Sequence, residues 1–340
     1  MKKLISILMA LLMSVMCAAA CADAKTAGEM SADMKSFIEY MRYRGYVQSD
    51  LSDDELAAMI AVPGISAETE HARFELNGVA YDGSTLRVMV RVTPKDGFVL
   101  MSDYVWEATD PIIYEDEPDT TETAAERAQR TGGKVVACGI YGTGLIEGVI
   151  MDGPGYIEKY FSDGSMLLIG SMVFSDIEQG ERKYALTLHD TPEGGERNEQ
   201  TMEVTLVPTA KLETVEWQGE CALDFLNMNS MTLRRSPFGT TVLASGNIGE
   251  NATEEQLKAL TMQCAVEMEL AGAGEARYDG GGMGIKRGGE FVPEAQCGDS
   301  VVCHMNFGAG DSIASSVKMR LYDFIESETL AESEVSFKAE

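Results

Sequence analysis

Histidine, cysteine and tryptophan are the scarce chemical residues of this chain, at three, seven and two. A Ser–His hydrolytic site or a histidine metal site has to draw on His71, His189 or His304. None of them lies in an HExxH or EF-hand pattern, and no GxSxG elbow occurs. The nearest metal-like grouping is Cys297 with Cys303-His304. Adjacent residues on a strand point to opposite faces. Cys303 therefore belongs with Val301 and Met305 in a core, and His304 is expected at the surface. Gly139-Ile140-Tyr141-Gly142-Thr143-Gly144 and Gly280-Gly281-Gly282-Met283-Gly284 are glycine-rich, but neither ends in Lys-Ser/Thr nor sits between a strand and a helix. Turn and loop glycine is the expected role, not a phosphate cradle.

Carboxylates are too common to point anywhere. With 55 acidic residues, close pairs suited to glycosidic chemistry arise without selection. The loop at residues 115–119 could offer carboxylates to calcium, but its spacing fits no calcium loop and Pro118 interrupts it. Trp106 and Trp217 could form a sugar platform; two tryptophans in 340 residues are expected as core anchors. No catalytic, cofactor-binding or metal residue is assigned from these patterns, and no cofactor is expected.

The compartment is set by residues 1–24. Lys2 and Lys3 precede an uncharged apolar run at residues 4–16, then Ala18, Ala19 and Ala20. This is the order of a secretory signal. Ala22-Asp23-Ala24 suits ordinary cleavage, while Ala20-Cys21 resembles a bacterial lipobox, with Cys21 as the lipid attachment. Cys17 is a second candidate, and an uncleaved anchor at residues 4–20 sits at the short limit for a span. The protein is therefore expected outside the cytoplasm, tethered as a lipoprotein or by its signal, or otherwise secreted. The net charge of −28 repels nucleic acid and anionic headgroups. Five cysteines beyond Cys17 and Cys21 cannot all pair. They are read, with 21 methionines, as reduced core filler.

The expected fold is mainly β: two tandem β-sandwiches, residues 67–210 and 211–340, preceded by a helical hairpin or spacer at 25–66. In the spacer, Met34, Phe37, Ile38 and Met41 make one helical stripe, and Ser52-Asp53-Asp54-Glu55 reads as a capping box stopped by Pro63-Gly64. From His71 the period becomes two. Leu86, Val88, Val90 and Val92 alternate with Arg87, Met89 and Arg91, and Tyr81-Asp82-Gly83-Ser84 makes a hairpin with residues 74–80. Residues 98–106 extend. A short helix is expected at 121–130, and the apolar run at 166–174 is expected as a central strand. Residues 208–216 read as the junction. After it come alternating runs at 231–235, 240–244, 262–270, 301–307 and 317–321, with a helical turn at 253–260 and a glycine-rich loop at 271–289. Short alternating strands between turn residues argue for sandwiches.

Asn77-Gly78-Val79-Ala80-Tyr81-Asp82-Gly83, followed by the 86–92 strand, resembles the opening of the extracytoplasmic immunoglobulin-like domains of unknown function found in Firmicutes anti-sigma-factor-like proteins. The 231–243 stretch, with its Ser236-Pro237-Phe238-Gly239 turn, is similar to their companion domain. The resemblance covers roughly residues 70–340. It implies a tandem of immunoglobulin-like domains on the outer side of a Gram-positive membrane. Relatives that grip a sigma factor carry a cytoplasmic segment before a membrane span; this chain starts with its export signal, so direct sigma-factor binding is not expected. A non-catalytic role in binding, sensing or envelope structure is expected, with an envelope protein, peptide or glycan as partner. An exported hydrolase is the further alternative, and it would require one of the three histidines to meet a buried serine and a carboxylate.

Overall fold

Period-two alternation puts one set of side chains inward along each strand, and burial follows it. Leu86, Val88, Val90 and Val92 are buried in the first half of the chain, and Val317, Met319 and Leu321 in the second. The structure, a computed structural model, describes residues 30–103, 108–142, 149–150, 156–174, 180–274 and 278–337. Residues 1–24 with Cys17 and Cys21, together with Trp106, Gly144 and Ala339, lie outside the described residues.

Two helices come first, α1 (Ala32–Tyr43) and α2 (Asp53–Ala58). The first half continues with β1 (Ile65–Glu68), β2 (Ala72–Tyr81), β3 (Thr85–Pro94), β4 (Phe98–Ser102), β5 (Pro111–Ile113), β6 (Thr121–Thr123) and α3 (Ala124–Thr131). It closes with β7 (Lys134–Gly142), β8 (Val149–Ile150), β9 (Tyr156–Tyr160), β10 (Met166–Phe174), β11 (Arg182–Pro192) and β12 (Asn198–Leu206). The second half holds β13 (Glu213–Leu223), β14 (Leu226–Ser236), β15 (Gly239–Ile248), α4 (Glu254–Met262), β16 (Cys264–Ala271), β17 (Tyr278–Arg287), β18 (Glu290–Phe291), β19 (Ser300–Phe307), β20 (Ser316–Asp323) and β21 (Glu328–Ser336). The protein is mainly β.

A common core of strand order runs through both halves, with β4 added beside β7 in the first. In the first, β1-β2-β3-β10-β8, with β9 also on β10, forms one sheet and β12-β11-β7-β4 the other. In the second, the sheets are β13-β14-β15-β19-β17-β18 and β16-β20-β21. With β2 and β14 as strand A, each half gives the orders A-B-E-D and C-F-G of an immunoglobulin constant-type sandwich. Each carries one extra strand before A and one helix between B and C. Each strand A also shifts register once, between Leu76 and Gly78 and between Met228 and Ser230. Among the described strand ladders, β4 runs parallel to β7 and the others are antiparallel. Two hydrophobic cores form, one spanning Ala72 to Leu206 and the other Cys221 to Val335, while the buried stripe of α1 belongs to neither. Asp33–Glu340 is nonetheless one compact unit.

The N-terminal helix is a packed layer, not a free spacer. Its stripe Met34, Phe37, Ile38 and Met41 is buried. Phe37 lies so close over β2 that a Cβ on Gly78 would stand 3.3 Å from its ring and 3.0 Å from Met89 Cε. Each such side chain removed from water contributes roughly 1.5–3 kcal/mol. Asp33 fixes the helix start by pairing with Arg91 at 2.6 Å and accepting from Asn77 at 3.1 Å. In β10, Leu167 and Ile169, which pair with Arg91 and Met89 of β3, are buried together with Met166 and Leu168.

Several sequence expectations are corrected. Residues 65–66 already belong to β1, and 121–123 form β6 before α3 starts at its Thr123 N-cap. Residues 213–216 are the start of β13, so the connection between the halves shrinks to 207–212. Met262 ends α4 and is 64% exposed instead of facing inward with Cys264. The glycine-rich stretch at 280–284 is the strand β17, paired with β19. Glycine is required there by what lies above it. A Cβ on Gly284 would sit 2.3 Å from the Phe291 ring, and one on Gly282 would sit 2.9 Å from His304. For the same reason His304 is buried and not at the surface.

The two halves meet turn against turn. The Asp82 carboxylate accepts from the Ser84 and Thr85 amides at 2.8 and 2.6 Å, which closes the first A–B turn, and it also accepts from the Ser236 hydroxyl of the second. Arg234 donates to Ser84 Oγ at 3.0 Å and to the Phe174 carbonyl at 3.1 Å. Arg87 reaches the other way, donating to the Phe238 carbonyl at 3.0 Å and to Ser171 Oγ at 2.8 Å. Tyr46 stacks on its guanidinium at 3.5 Å. Gly239 completes the second turn at φ +139, where a side chain would be strained and would approach the Phe307 carbonyl at 3.1 Å. Burial pushes the Asp82 carboxyl up, although Ser236, the turn amides and Arg87 all act to lower it. The Tyr81-Asp82-Gly83-Ser84 and Ser236-Pro237-Phe238-Gly239 turns are thus the two sides of this joint.

Candidate functional site

The structure brings two of the three histidines to one end of the first sandwich. His71 lies in the turn between β1 and β2, and His189 on β11. Asp190 follows His189, in phase with the inward Leu186 and Leu188, and is fully buried at the end of the core. Nδ1 of His71 is 2.9 Å from one oxygen of Asp190, and the His71 amide donates to the other at 2.9 Å. Asn198, opposite on β12, donates to Asp190 at 2.9 Å. Burial acts to raise the Asp190 carboxyl, but bonds from Thr69, His71 and Asn198 outweigh it and leave it below its ordinary value. Phe98 closes the other side, its ring 4.4 Å from the imidazole.

His189 points to the opposite face of β11. Its Nε2 is 2.6 Å from Asp103, just past the end of β4. Both groups sit on Gly139 of β7, where a Cβ would lie 2.4 Å from the imidazole and 2.5 Å from the carboxylate. That close approach is why Gly139 is glycine. Tyr141 covers the ring at 5.6 Å and donates to Glu199 at 2.5 Å. Burial, with Asp103 nearby, raises the Glu158 carboxyl.

Cys138 lies between the two pairs, directly across from Asp190 in the ladder. Burial and the charges of Asp190 and Asp103 push its thiol well up, so it stays protonated and a poor nucleophile at neutral pH. His71 Nε2 looks toward exposed Glu70 at 3.8 Å. Among the described residues, Nδ1 of His189 has no hydrogen-bond partner. Among the described residues, the hydrogen bonds of these two imidazoles run to Asp190 and Asp103. A groove of about 720 Å³ beside α3, lined by Ala108, Ala125, Ala128, Lys134, Val135 and Pro192, includes neither histidine. The geometry ties loops to strands.

The other sequence candidates are scattered. His304 packs over Gly282 in the second sandwich, Cys303 is buried in its core and Cys297 is exposed. Among the described residues no three His, Cys, Asp or Glu side chains converge as a metal site. The 115–119 loop is tied down by Asp116, which accepts from the Ser162 amide at 2.9 Å and hydroxyl at 2.7 Å. Trp217 is half-buried against the second core. Cys138, Cys221, Cys264 and Cys303 are buried and free, as core filler would be. The lipid-attachment candidate Cys21 lies outside the described residues. Among the described residues, no helix is long and apolar enough to cross a membrane.

The position that sequence reasoning missed is Asp190. Its counterpart is Asp323: Cys138 faces Asp190 across strands C and F, and Cys264 faces Asp323 in the same way. The shared signal is Leu188-His189-Asp190 against Leu321-Tyr322-Asp323, visible only once the strands are paired.

No protein-family model matches the chain, and no curated protein does. A solved structure described as "The crystal structure of the conserved domain protein from Bacillus anthracis" aligns with a TM-score of 0.44 at 9% identity, over 82% of this chain and 92% of that one.

Proposed function

We propose that this chain is an exported, non-catalytic envelope protein that binds or scaffolds through its paired immunoglobulin-like sandwiches. What carries the reading is the use of its buried ionisable groups. Asp82, Arg87 and Arg234 lock turn to turn between the sandwiches, and Asp190 locks the His71 turn to β11. Buried charge committed to holding loops in place suits a surface that displays loops. The acidic surface disfavours nucleic acid as a partner. The N-terminal segment supports export, with Cys21 as the lipid-bearing residue and the chain tethered outside the cytoplasm. The resemblance to extracytoplasmic domains of Firmicutes points the same way.

Two measurements test this. In a Gram-positive host, the wild-type chain should take up labelled palmitate and fractionate with the membrane, and Cys21→Ala should not. Labelling that persists in Cys21→Ala moves the anchor to Cys17, and a wild-type chain retained in the cytoplasm sinks the export reading. Purified protein should show no esterase, peptidase or glycosidase turnover. Turnover that disappears in His71→Asn or His189→Asn would establish the hydrolase alternative.

A further inference from the structure

At the end of the second sandwich away from the joint, three large apolar side chains face solvent. Met262 is 64% exposed, Phe324 54% and Ile325 61%. Met262 closes α4 in the B–C connection, and Phe324 and Ile325 form the F–G turn. A backbone bond from the Phe324 amide to the Gln263 carbonyl, at 3.0 Å, holds the two loops side by side. In sandwiches of this order the B–C and F–G loops share one end, the end that immunoglobulin variable domains use for recognition.

The display is preorganised. Asp323 accepts from the Ile325 and Glu326 amides at 2.9 and 3.0 Å, and from Gln263 Nε2 at 2.8 Å. Ser327 completes the turn at φ +56, in the left-handed region that favours glycine. A carboxylate and an unusual backbone conformation thus hold two large apolar side chains outward. A partner that docks there orders little of the loop on binding. The first sandwich gives the contrast: its F–G turn reads Glu193-Gly194-Gly195-Glu196-Arg197, with no apolar residue.

The rim is acidic. Asp224, Glu254, Glu255, Glu326 and Glu328 are exposed on the turns and helix of this end, with Lys258 as the cation among them. A second copy of this chain would bring the same negative rim against itself, and an anionic lipid surface would be repelled likewise. We propose that this tip docks a polypeptide segment whose apolar side chains are flanked by lysine or arginine. The proposal rests on the reading of the protein as a binding module, and it names the surface and the partner's chemistry.

The test uses the full chain and a labelled helical peptide of leucine and lysine, with a lysine–serine peptide of equal charge as control, read by fluorescence anisotropy. The leucine–lysine peptide should bind. The triple variant Met262→Ser, Phe324→Ser, Ile325→Ser should bind it at least about tenfold more weakly with an unchanged melting temperature, because all three side chains are already in water. Replacing Glu254, Glu255, Glu326 and Glu328 with Gln should flatten the salt dependence of binding. Equal binding by the triple variant, or by the lysine–serine peptide, overturns the proposal. So does a wild-type dimer in sedimentation, or flotation of the wild type with phosphatidylcholine vesicles, if either is lost in the triple variant. If the peptide fails while no hydrolytic turnover is found, this surface falls and the binding reading stands. Histidine-dependent turnover would remove that reading instead.

Discussion

The two sandwiches share a strand order, an extra leading strand and a capped helix between B and C, yet they treat the same end differently. In the first, the end of strand F is closed: Asp190 is fully buried and bonded by His71 and Asn198. In the second, Asp323 at the matching position holds an F–G turn that pushes Phe324 and Ile325 into solvent. One carboxylate position therefore serves closure in one copy and display in the other. What differs is the neighbour: among the described residues, the first sandwich has a histidine turn and an inserted β4 at this end, and the second has α4.

The largest effect is expected where the copies are tied together. Arg87→Ala leaves the Phe238 carbonyl without its guanidinium donor in a buried joint, and should cost about 3 kcal/mol. Urea unfolding followed by two probes, one per sandwich, should split into two transitions; a single unshifted transition would show that the Arg87 bonds contribute nothing to the coupling. Next is Asp190→Ala, which leaves His71 facing an empty acceptor site and should cost about 2 kcal/mol, seen as a lowered melting temperature of the first sandwich alone.

The acid response should separate the core end from the joint. Asp190 is held below its unfolded value, so its stabilisation is complete above about pH 4 and fades as pH falls through its folded pKa. Asp82 is raised, so its contribution is present below about pH 4 and is lost as pH climbs through its folded pKa. Melting temperature against pH should lose its acid limb in Asp190→Asn and gain stability on the higher side in Asp82→Asn. The same slope in both variants would remove the distinction. Among the five described cysteines, thiol labelling mapped by mass spectrometry should reach exposed Cys297 first, and Cys138 and Cys303 only on unfolding; early labelling of Cys138 would mean that the closed end opens readily. The smallest effects belong to the paired caps. Thr123→Ala and Thr253→Ala should each cost about 1 kcal/mol, since both bond the amide three residues on in a capping box.

Local pattern was informative wherever one face of an element is buried. The Met34-Phe37-Ile38-Met41 stripe, the Ser52 capping box and the 86–92 strand are legible because burial on one side enforces a period. It failed at residues 280–284, because glycine looks like a loop when the Phe291 and His304 rings that demand it are distant in sequence. It failed at 213–216 too, where β13 is an edge strand whose mostly exposed residues give no apolar alternation. The candidate site was hidden for a related reason: His71 and Asp190 lie 119 positions apart, and nothing local marks either one.

The sequence alone determined a β-rich chain, a strongly acidic composition and the helical and strand faces, all consequences of composition and period. Tertiary structure alone decided that the halves are topological copies, that the two turn motifs form a joint, and that one F–G turn is closed while the other is open. Those outcomes depend on long-range pairing, and the identity of the residue across a ladder or above a glycine is set by the fold, not by its neighbours in the chain.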